Sequence, residues 1–260
     1  MPVDIKCKLL KKEELKPDIL RYTVLAKEIA NIANPGQFLE IKCSDSFDPL
    51  LRRPISISDI NKKDGTLQFI FQIKGNGTTA LSKYDVNEEL DIIGPLGNGY
   101  FSIKEAGNIA IIGGGIGIFP LLELSKHVGK NATVYLGFRN KELIVLENEF
   151  KSTCKTTVIS TDDGSYGKKG FITELFLEDY KKNKYDFVYA CGPMGMLKVL
   201  KTICDEHKID CELSLEENMG CGIGACLGCA TKVKDENAQG FKYVHVCKHG
   251  PVFVSNILIF

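Results

Sequence analysis

The sequence predicts a multi-domain protein made of an antiparallel β-barrel, an α/β domain with a doubly wound parallel sheet, and a small cysteine-rich carboxyl-terminal domain. Three observations carry this prediction. Short strand-like runs fill residues 1–100, strand-like and helix-like runs alternate over residues 101–212, and four cysteines with an informative spacing lie in residues 213–260. A chain of 260 residues is long enough for two or three domains.

Composition narrows the class of protein. Lys plus Arg and Asp plus Glu each total 33, so bulk electrostatics does not favour a nucleic acid or an anionic membrane as partner. The first residues lack the pattern of a signal peptide, and no apolar run is long enough to span a bilayer. Ten cysteines without an export signal indicate a reducing compartment. We therefore expect a cytoplasmic protein with no membrane or nucleic-acid partner.

The first hundred residues favour a closed or partly closed antiparallel barrel. Turn signals such as Asn34-Pro35-Gly36 and Lys63-Asp64-Gly65 separate short apolar runs at near-regular intervals. Six runs have the pattern of strands, at residues 6–10, 19–26, 38–43, 55–58, 67–73 and 90–93.

Two stretches of this region have the chemistry of an anion site. Leu51-Arg52-Arg53-Pro54-Ile55-Ser56 combines fork-shaped cations suited to a pyrophosphate with a rigid proline and a hydroxyl. Gly75-Asn76-Gly77-Thr78-Thr79 precedes a predicted helix at residues 80–84, with a threonine as its N-cap, and would expose backbone N–H groups there. Either stretch taken alone is also typical of an ordinary surface turn or helix cap.

The middle of the chain favours a parallel sheet with right-handed crossovers. The strand patterns lie at residues 108–113, 132–138, 156–161, 186–191 and 210–215, and the helix patterns at residues 120–128, 143–151, 171–182 and 194–207. A glycine turn, Gly113-Gly114-Gly115-Ile116-Gly117, ends the first strand and would let the backbone approach a phosphate, while Pro120 suits the first helical position. A strict G-x-G-x-x-G is absent, so dinucleotide binding competes here with a structural glycine turn.

A second glycine turn, Cys191-Gly192-Pro193, follows the fourth strand of this segment. Ligands of open parallel sheets bind beyond the carboxyl ends of the strands, so the two turns are predicted to face one dinucleotide. Cys191 would then lie near the nicotinamide or be a buried thiol. No acidic residue suited to a ribose 2′-hydroxyl is evident, and Arg139 would tolerate a 2′-phosphate, so the choice between NAD and NADP stays open.

The carboxyl-terminal segment carries Cys-x4-Cys-x2-Cys and a distant fourth cysteine, the plant-type ligand pattern for a [2Fe–2S] cluster. The predicted ligands are Cys221, Cys226, Cys229 and Cys247. Glycines between them would let the loop wrap closely around a cluster. Structural zinc is the main alternative, but zinc sites usually show two separated Cys-x2-Cys pairs, and a disulfide is disfavoured in a reducing compartment. The other cysteines are expected to be small buried residues: Cys7, Cys43, Cys154, Cys191, Cys204 and Cys211.

Taken together, these stretches resemble the ferredoxin–NADP reductase superfamily, and within it the family of electron-transfer subunits of type B dihydroorotate dehydrogenases. The resemblance covers essentially the whole chain and is strongest over residues 216–229 and 246–253. It implies FAD on the barrel of residues 1–100, NAD on the α/β domain of residues 101–212, and the [2Fe–2S] cluster on residues 213–260. The cofactor-binding residues it implies are Arg53, Pro54, Ile55, Ser56, Ile70, Phe71, Gln72, Gly77 and Thr78 for FAD, and Gly113, Gly115, Gly117, Cys191, Gly192 and Pro193 for NAD.

The resemblance also implies a function. Electrons from the FMN of a dihydroorotate-oxidising partner subunit would pass through the cluster and FAD to NAD⁺ in pyrimidine (UMP) biosynthesis, within a 2+2 heterotetramer. The chain would have no dihydroorotate site of its own; Ser56 would tune the flavin and Cys191 would lie on the nicotinamide side. Two departures would weaken flavin contacts, because Ile55 stands where many superfamily members carry tyrosine and Gln72 stands where this subunit often carries arginine.

Two alternatives remain at this point. A reductase subunit of the same superfamily could serve another partner, such as an NAD(P)H-dependent ferredoxin reductase or a sulfide-handling flavoenzyme. A redox sensor could use the cluster alone, but it would have no need of a nicotinamide site.

Overall fold

The computed structural model describes residues 1–105, 107–237 and 240–260. The chain forms two compact units. One unit consists of Met1–Tyr100, Glu217–Ala230 and Val244–Pro251, and the other consists of Phe101–Glu216, Thr231–Tyr243 and Val252–Phe260. The carboxyl-terminal segment therefore contributes residues to both units. Over the described ranges, no helix has both the length and the apolar character needed to cross a bilayer.

The first unit is built on a closed antiparallel barrel, as the sequence predicts. Its elements are β1 (Val3–Lys16), β2 (Ile19–Leu25), α1 (Lys27–Ile32), β3 (Phe38–Ile41), β4 (Arg53–Asn61), β5 (Thr66–Gln72), α2 (Asn76–Leu81) and β6 (Glu89–Leu96). Around the barrel the strands follow the order β1-β2-β5-β4-β3-β6. The six predicted strands are all present. Strands β1, β4 and β6 extend beyond their predicted bounds, β2 and β3 end before them, and β5 is shifted by one residue.

The interior of this barrel is apolar because alternate residues of each strand point inward. The rings of Tyr22, Phe69 and Phe71 pack there, with centroids 5.1 Å apart for Tyr22 and Phe71. In β3, Leu39 and Ile41 belong to the core, so Phe38 and Glu40 point to the outer face. The same alternation fixes the direction of each candidate site residue on the neighbouring strand.

Helix α2 corrects one sequence prediction. The predicted helix of residues 80–84 in fact begins at Asn76, and Gly75 rather than a threonine is its N-cap residue. Thr78 lies in the first turn, where its hydroxyl accepts hydrogen bonds from the N–H groups of Lys74 and Gly75 at 2.9 and 3.2 Å. The threonine therefore stabilises the helix start from inside the first turn.

The second unit contains the predicted doubly wound parallel sheet. Its elements are β7 (Ile109–Gly114), α3 (Phe119–Val128), β8 (Ala132–Phe138), α4 (Glu147–Thr153), β9 (Thr156–Thr161), β10 (Lys168–Lys169), α5 (Ile172–Tyr180), β11 (Phe187–Cys191), α6 (Met194–His207) and β12 (Asp210–Ser214). Strands β9, β8, β7, β11 and β12 lie side by side and are parallel. Helix α3 begins at Phe119, so Pro120 is its second residue rather than its first.

The remaining elements lie near the carboxyl end of the chain. They are β13 (Ala230–Asp235), β14 (Gly240–His245), α7 (Val246–His249), β15 (Val252–Val254) and β16 (Leu258–Ile259). Strand β15 pairs antiparallel with β12 and so extends the large sheet by one antiparallel edge strand. Strand β13 lies between β14 and β16 in a small three-stranded sheet.

Candidate functional site

The four predicted ligand cysteines belong to the first unit and form two pairs. The N–H of Cys226 donates to Cys221 Sγ at 3.4 Å, and the N–H of Cys247 donates to Cys229 Sγ at 3.4 Å. Within the described ranges, no three or more His, Cys, Asp or Glu side chains converge on a single ion position. Two thiolate pairs suit a binuclear cluster, in which each iron takes two protein thiolates. The donor set of four cysteines arranged in two pairs therefore fits the two-iron cluster.

Backbone N–H groups of the cysteine loop, residues 220–229, point at sulfur. Those of Ala225 and Cys226 lie 3.3 and 3.4 Å from Cys221 Sγ. Gly222 makes this turn possible because its φ of +67° lies in the left-handed region, which glycine enters without a Cβ penalty.

Burial and hydrogen bonds together set the pKa values of two of the proposed ligand thiols. Desolvation raises the pKa of Cys221, but hydrogen bonds from the backbone of Cys226 and Ile223 outweigh it and hold the pKa at about 6. Desolvation and the hydrogen bond with Cys229 raise the pKa of Cys247 to about 12. The metal-binding thiolate is therefore favoured at Cys221, whereas a metal at Cys247 must displace a proton.

A buried carboxyl group lies directly beneath this loop. Glu40 is only 1% exposed, and a Cβ atom on Gly222 would lie 2.4 Å from its Cγ and 2.7 Å from its Oε1. Neither carboxyl oxygen has a hydrogen-bond partner among the described residues. Desolvation and then the charge of Cys221 raise the pKa of Glu40 to about 7, against the lowering effect of Arg52 and Arg53. Sequence reasoning missed Glu40, for which the available signal was one acidic residue in the otherwise apolar strand β3.

The arginine stretch and the glycine loop of the barrel meet at Arg53. A Cβ atom on Gly77 would lie 2.4 Å from Arg53 Nε and 2.6 Å from its Cζ, so the absence of a side chain lets the guanidinium lie against the first turn of α2. Arg53 Nη1 donates to the carbonyl oxygens of Leu51 and Arg52 at 2.8 and 3.2 Å, which orients the guanidinium plane. A fixed guanidinium beside a glycine backbone is suited to a pyrophosphate.

Arg52 has a different environment. Its Nη2 atom lies 2.7 Å from Asp91 Oδ1, and its Nη1 atom donates to the Asp91 carbonyl oxygen at 2.9 Å. The positive charge of Arg52 is therefore compensated within the barrel. The sequence places two adjacent arginines at this point, and the structure distinguishes them by their partners.

The other predicted flavin residues follow β4 and β5. Ile55 packs against the barrel core, so Pro54 and Ser56 on either side of it point to the outer face. Phe71 belongs to the core, so any contact it makes with a flavin must involve its backbone. Ile70 is buried and lies on the opposite side of β5, and Gln72 is half-buried at the end of that strand.

In the second unit the two predicted glycine turns touch each other. Strands β7 and β11 are parallel neighbours, and Gly113 pairs with Cys191. A Cβ atom on Gly117 would lie 2.6 Å from both Cα and N of Gly192. A Cβ atom on Gly115, by contrast, would meet no atom of the described residues within 4 Å. Both turns lie at the carboxyl ends of parallel strands, the usual position for a nucleotide.

Cys191 and Pro193 complete this pair of turns. A Cβ atom on Gly114 would lie 2.9 Å from Pro193 Cδ, so the proline packs on the turn that follows β7. Cys191 is 1% exposed, and burial, followed by the charge of Glu216, raises the pKa of its thiol well above the ordinary value. A thiol in this environment stays protonated and is a poor nucleophile. The other non-ligand cysteines are buried too, as predicted.

Comparison with known proteins agrees with this architecture. The chain is 39% identical over 253 residues to the dihydroorotate dehydrogenase B (NAD(+)) electron transfer subunit of Lysinibacillus sphaericus, with 95% of each chain covered. It is 40% identical over 257 residues to the subunit of the same name from Streptococcus mutans, with 96% of each chain covered. A solved structure of an NADH-dependent reduced ferredoxin–NADP oxidoreductase has a TM-score of 0.85 at 27% identity, covering 98% of this chain and 90% of that one.

Two family models match parts of the chain. Residues 216–259 match the iron–sulfur cluster binding domain of dihydroorotate dehydrogenase B, and residues 111–202 match the oxidoreductase NAD-binding domain. A closed antiparallel barrel, a parallel sheet with this glycine turn and a paired-cysteine loop together define an iron–sulfur oxidoreductase of the ferredoxin–NADP reductase type. Within that class, the chain belongs to the family of dihydroorotate dehydrogenase B electron transfer subunits.

Proposed function

We propose that this chain passes electrons from the FMN of a dihydroorotate-oxidising partner subunit, through a [2Fe–2S] cluster and FAD, to NAD⁺ in pyrimidine biosynthesis. The observation that carries the proposal is that the cysteine loop and the arginine–serine stretch of β4 belong to one compact unit. Glu40 pairs with Pro54 of β4 and also touches Gly222 of the cysteine loop. The two candidate cofactor regions of the barrel unit are therefore joined through a single residue.

The cofactors, when bound, supply single-electron transfer at the cluster and conversion to a hydride at the flavin, so the protein has to hold, orient and tune them. In the proposal, Cys221 and Cys226 hold one iron, and Cys229 and Cys247 hold the other. The backbone amides that donate to Cys221 Sγ stabilise negative charge on that sulfur.

The nucleotide parts of the cofactors are assigned to the two glycine regions. Arg53, with Gly77 and Thr78, holds the pyrophosphate of FAD, and the outer residues of β4 and the end of β5 border its ring. In the second unit the glycine turn after β7 holds the pyrophosphate of NAD, and the turn at Gly192 and Pro193 borders its nicotinamide. The three cofactors thus divide the chain functionally into residues 1–100 for FAD, 101–212 for NAD and 213–260 for the cluster.

Ser56 is assigned the role of tuning the flavin. Its side chain points to the outer face of β4, where its hydroxyl can contact a ring lying on that face. We expect Ser56→Ala to slow the reduction of FAD by NADH in stopped-flow measurements while the cluster still assembles. Ser152→Ala, which changes a serine of α4 in the second unit, is the control and should leave the rate unchanged. Equal rates for wild type and Ser56→Ala would remove Ser56 from this role.

The proposed partner is an FMN-containing dihydroorotate dehydrogenase catalytic subunit, present with this chain in a 2+2 heterotetramer in the cytoplasm. The names of the curated relatives support a second subunit, since each is called an electron transfer subunit of dihydroorotate dehydrogenase B. The balanced charge of 33 basic and 33 acidic residues argues against a nucleic-acid partner found by bulk electrostatics.

The experiment that tests the function is dihydroorotate-dependent NAD⁺ reduction. The native complex is purified through a tag on this chain and assayed without oxygen, alongside the partner subunit alone. We expect NADH formation by the complex and none by the partner alone. If NADH reduces the flavin and the cluster but dihydroorotate produces no NADH, the reductase chemistry stands and the assigned partner is wrong.

A second candidate function is suggested by one observation, the TM-score of 0.85 with an NADH-dependent reduced ferredoxin–NADP oxidoreductase at 27% identity. In that case a reduced ferredoxin would replace dihydroorotate and its partner as the electron donor. The same preparation separates the two, because only the second candidate predicts NAD⁺ reduction by reduced ferredoxin without dihydroorotate.

A further inference from the structure

The buried carboxyl group of Glu40 is not explained by the fold. Strand β3 contains four residues, all of them buried, and alternation turns Leu39 and Ile41 into the barrel core. Glu40 therefore lies on the outer face of the barrel, yet it is only 1% exposed. A leucine at this position would bury an apolar side chain at no electrostatic cost, so the barrel itself does not require an acid here.

The cysteine loop is what covers Glu40. Gly222 lies against its side chain so closely that a Cβ atom would be 2.4 Å from Glu40 Cγ. Gly222 is adjacent to Cys221, one of the proposed ligands. The carboxyl group is thus held against the backbone of the loop, and its distance from the loop is fixed by packing.

No described residue forms a hydrogen bond with the carboxyl group of Glu40. Arg52 donates to the backbone carbonyl oxygen of Glu40, not to its carboxyl group. The Nη2 atom of Arg52 lies 2.7 Å from Asp91 Oδ1, so the ion pair of Arg52 is with Asp91. Arg53 lies against Gly77 and donates to the carbonyl oxygens of Leu51 and Arg52. A buried polar group without a partner is costly, so its presence calls for a functional explanation.

We infer that Glu40 sets the reduction potential of the iron–sulfur cluster, an inference that rests on the proposed function. The potential of such a cluster depends on nearby charge and solvent exposure. A negative charge in a water-excluded position acts strongly at short range and disfavours the reduced cluster, which carries one more electron. In its ionised form, Glu40 therefore lowers the potential of the cluster and so favours passage of the electron onward.

The test compares two matched pairs of side chains in the intact, cluster-loaded complex. Wild type and Glu40→Gln have the same length and differ in charge, and Glu40→Asp and Glu40→Asn form a second such pair at shorter length. The cluster potential is measured by redox titration followed by electron paramagnetic resonance in alkaline buffer, which keeps the carboxyl group ionised. The FAD potential of each sample serves as the internal reference.

We expect the neutral member of each pair to have the more positive cluster potential. The expected shift corresponds to roughly a tenfold change in the ratio of reduced to oxidised cluster, about 59 mV for one electron. Equal potentials within both pairs would overturn the inference. The inference would also be overturned if the potential depended on side-chain length alone, with Glu40→Asp and Glu40→Asn equal to each other but different from wild type. The contact with the loop, rather than the charge, would then be responsible.

Loss of the cluster from both neutral variants, with retention in wild type and Glu40→Asp, would likewise count against a tuning role and make Glu40 a support for cluster assembly. The proposed function is judged separately, from the wild-type complex. If wild type holds a cluster and reduces NAD⁺ with dihydroorotate while the matched pairs agree in potential, only the inference about Glu40 fails.

Discussion

The cysteine loop of the first unit and the glycine turn after β7 in the second unit, called the nucleotide turn below, both depend on glycine, but for different reasons. Residues 220–229 and residues 113–117 each contain four glycines. In the cysteine loop, Gly222 and Gly224 have positive φ angles, and the backbone curls so that N–H groups reach a sulfur atom. In the nucleotide turn, Gly117 leaves room for the backbone of Gly192, which a Cβ atom would meet at 2.6 Å.

The difference lies in the neighbouring atoms. Cβ atoms on Gly222 and Gly224 would meet side chains, those of Glu40 and Lys248, whereas a Cβ atom on Gly117 would meet backbone. Backbone of a packed sheet cannot move aside as a flexible side chain can. Substitutions in the cysteine loop should therefore reduce cluster content first. Substitutions in the nucleotide turn should lower both the affinity for the nucleotide and the free energy of unfolding.

Removal of a proposed ligand is expected to have the largest effect. Cys226→Ala should remove the visible absorption of the cluster and nearly all bound iron while FAD remains bound, because one iron loses a thiolate. Absorption spectra and iron analysis of the purified complex measure this. Cys154→Ala, which changes a buried cysteine of the second unit, is the control and should keep its iron. A cluster spectrum that survives Cys226→Ala would mean that the ligand assignment is wrong.

A methyl group at the contact between the two nucleotide turns should have the next largest effect. Gly117→Ala brings a Cβ atom against Gly192, and overpacking of this kind costs about 1–3 kcal/mol. We expect a lower unfolding free energy and roughly a tenfold higher KM for NADH in flavin reduction. Gly195→Ala is the control, because a Cβ atom there meets no described atom within 4 Å. A wild-type KM in Gly117→Ala would show that the turn does not bind the nucleotide.

A methyl group at Gly77 should have a smaller effect, because the neighbouring group is a side chain. Gly77→Ala would push the Arg53 guanidinium away from α2, with a Cβ atom 2.4 Å from its Nε. We expect FAD affinity, measured by equilibrium dialysis of the reconstituted protein, to fall about tenfold, or about 1.4 kcal/mol. Gly75→Ala, where a Cβ atom meets nothing described within 4 Å, should bind FAD nearly normally. Equal losses in both variants would indicate a general disturbance of the helix start rather than loss of the arginine contact.

Replacement of Cys191 should have the smallest effect of these substitutions. Burial keeps its pKa well above the ordinary value, so the thiol neither ionises nor transfers a proton near neutral pH. We expect Cys191→Ala to change the rate of NADH-driven flavin reduction by less than about threefold and to leave its pH profile unchanged from about pH 6 to 9. The disappearance of an alkaline limb from that profile would contradict this and give the thiol a direct part in the reaction.

Much of this architecture could be predicted from local patterns. Strands β8 and β9 and helix α6 coincide with their predicted bounds, because apolar periodicity and flanking turn residues are strong in those segments. The cysteine spacing predicted four thiolate ligands for a two-iron cluster, since ligand spacing along a loop is itself a geometric constraint. The predicted start of α2 was wrong because the hydroxyl of Thr78 stabilises the helix from its first turn, a choice that local sequence does not resolve.

The sequence by itself determined which residue types are present and how they are spaced: the barrel alternation, the glycine turns and the four cysteines. Only the tertiary structure decided which of two adjacent arginines is compensated by Asp91, that Phe71 belongs to the barrel core, and that Gly117 packs on Gly192. It also placed Glu40 beneath Gly222, 182 positions further along the chain. Periodicity reports the environment of a residue relative to its own strand or helix, whereas contacts between distant segments depend on how the whole chain packs.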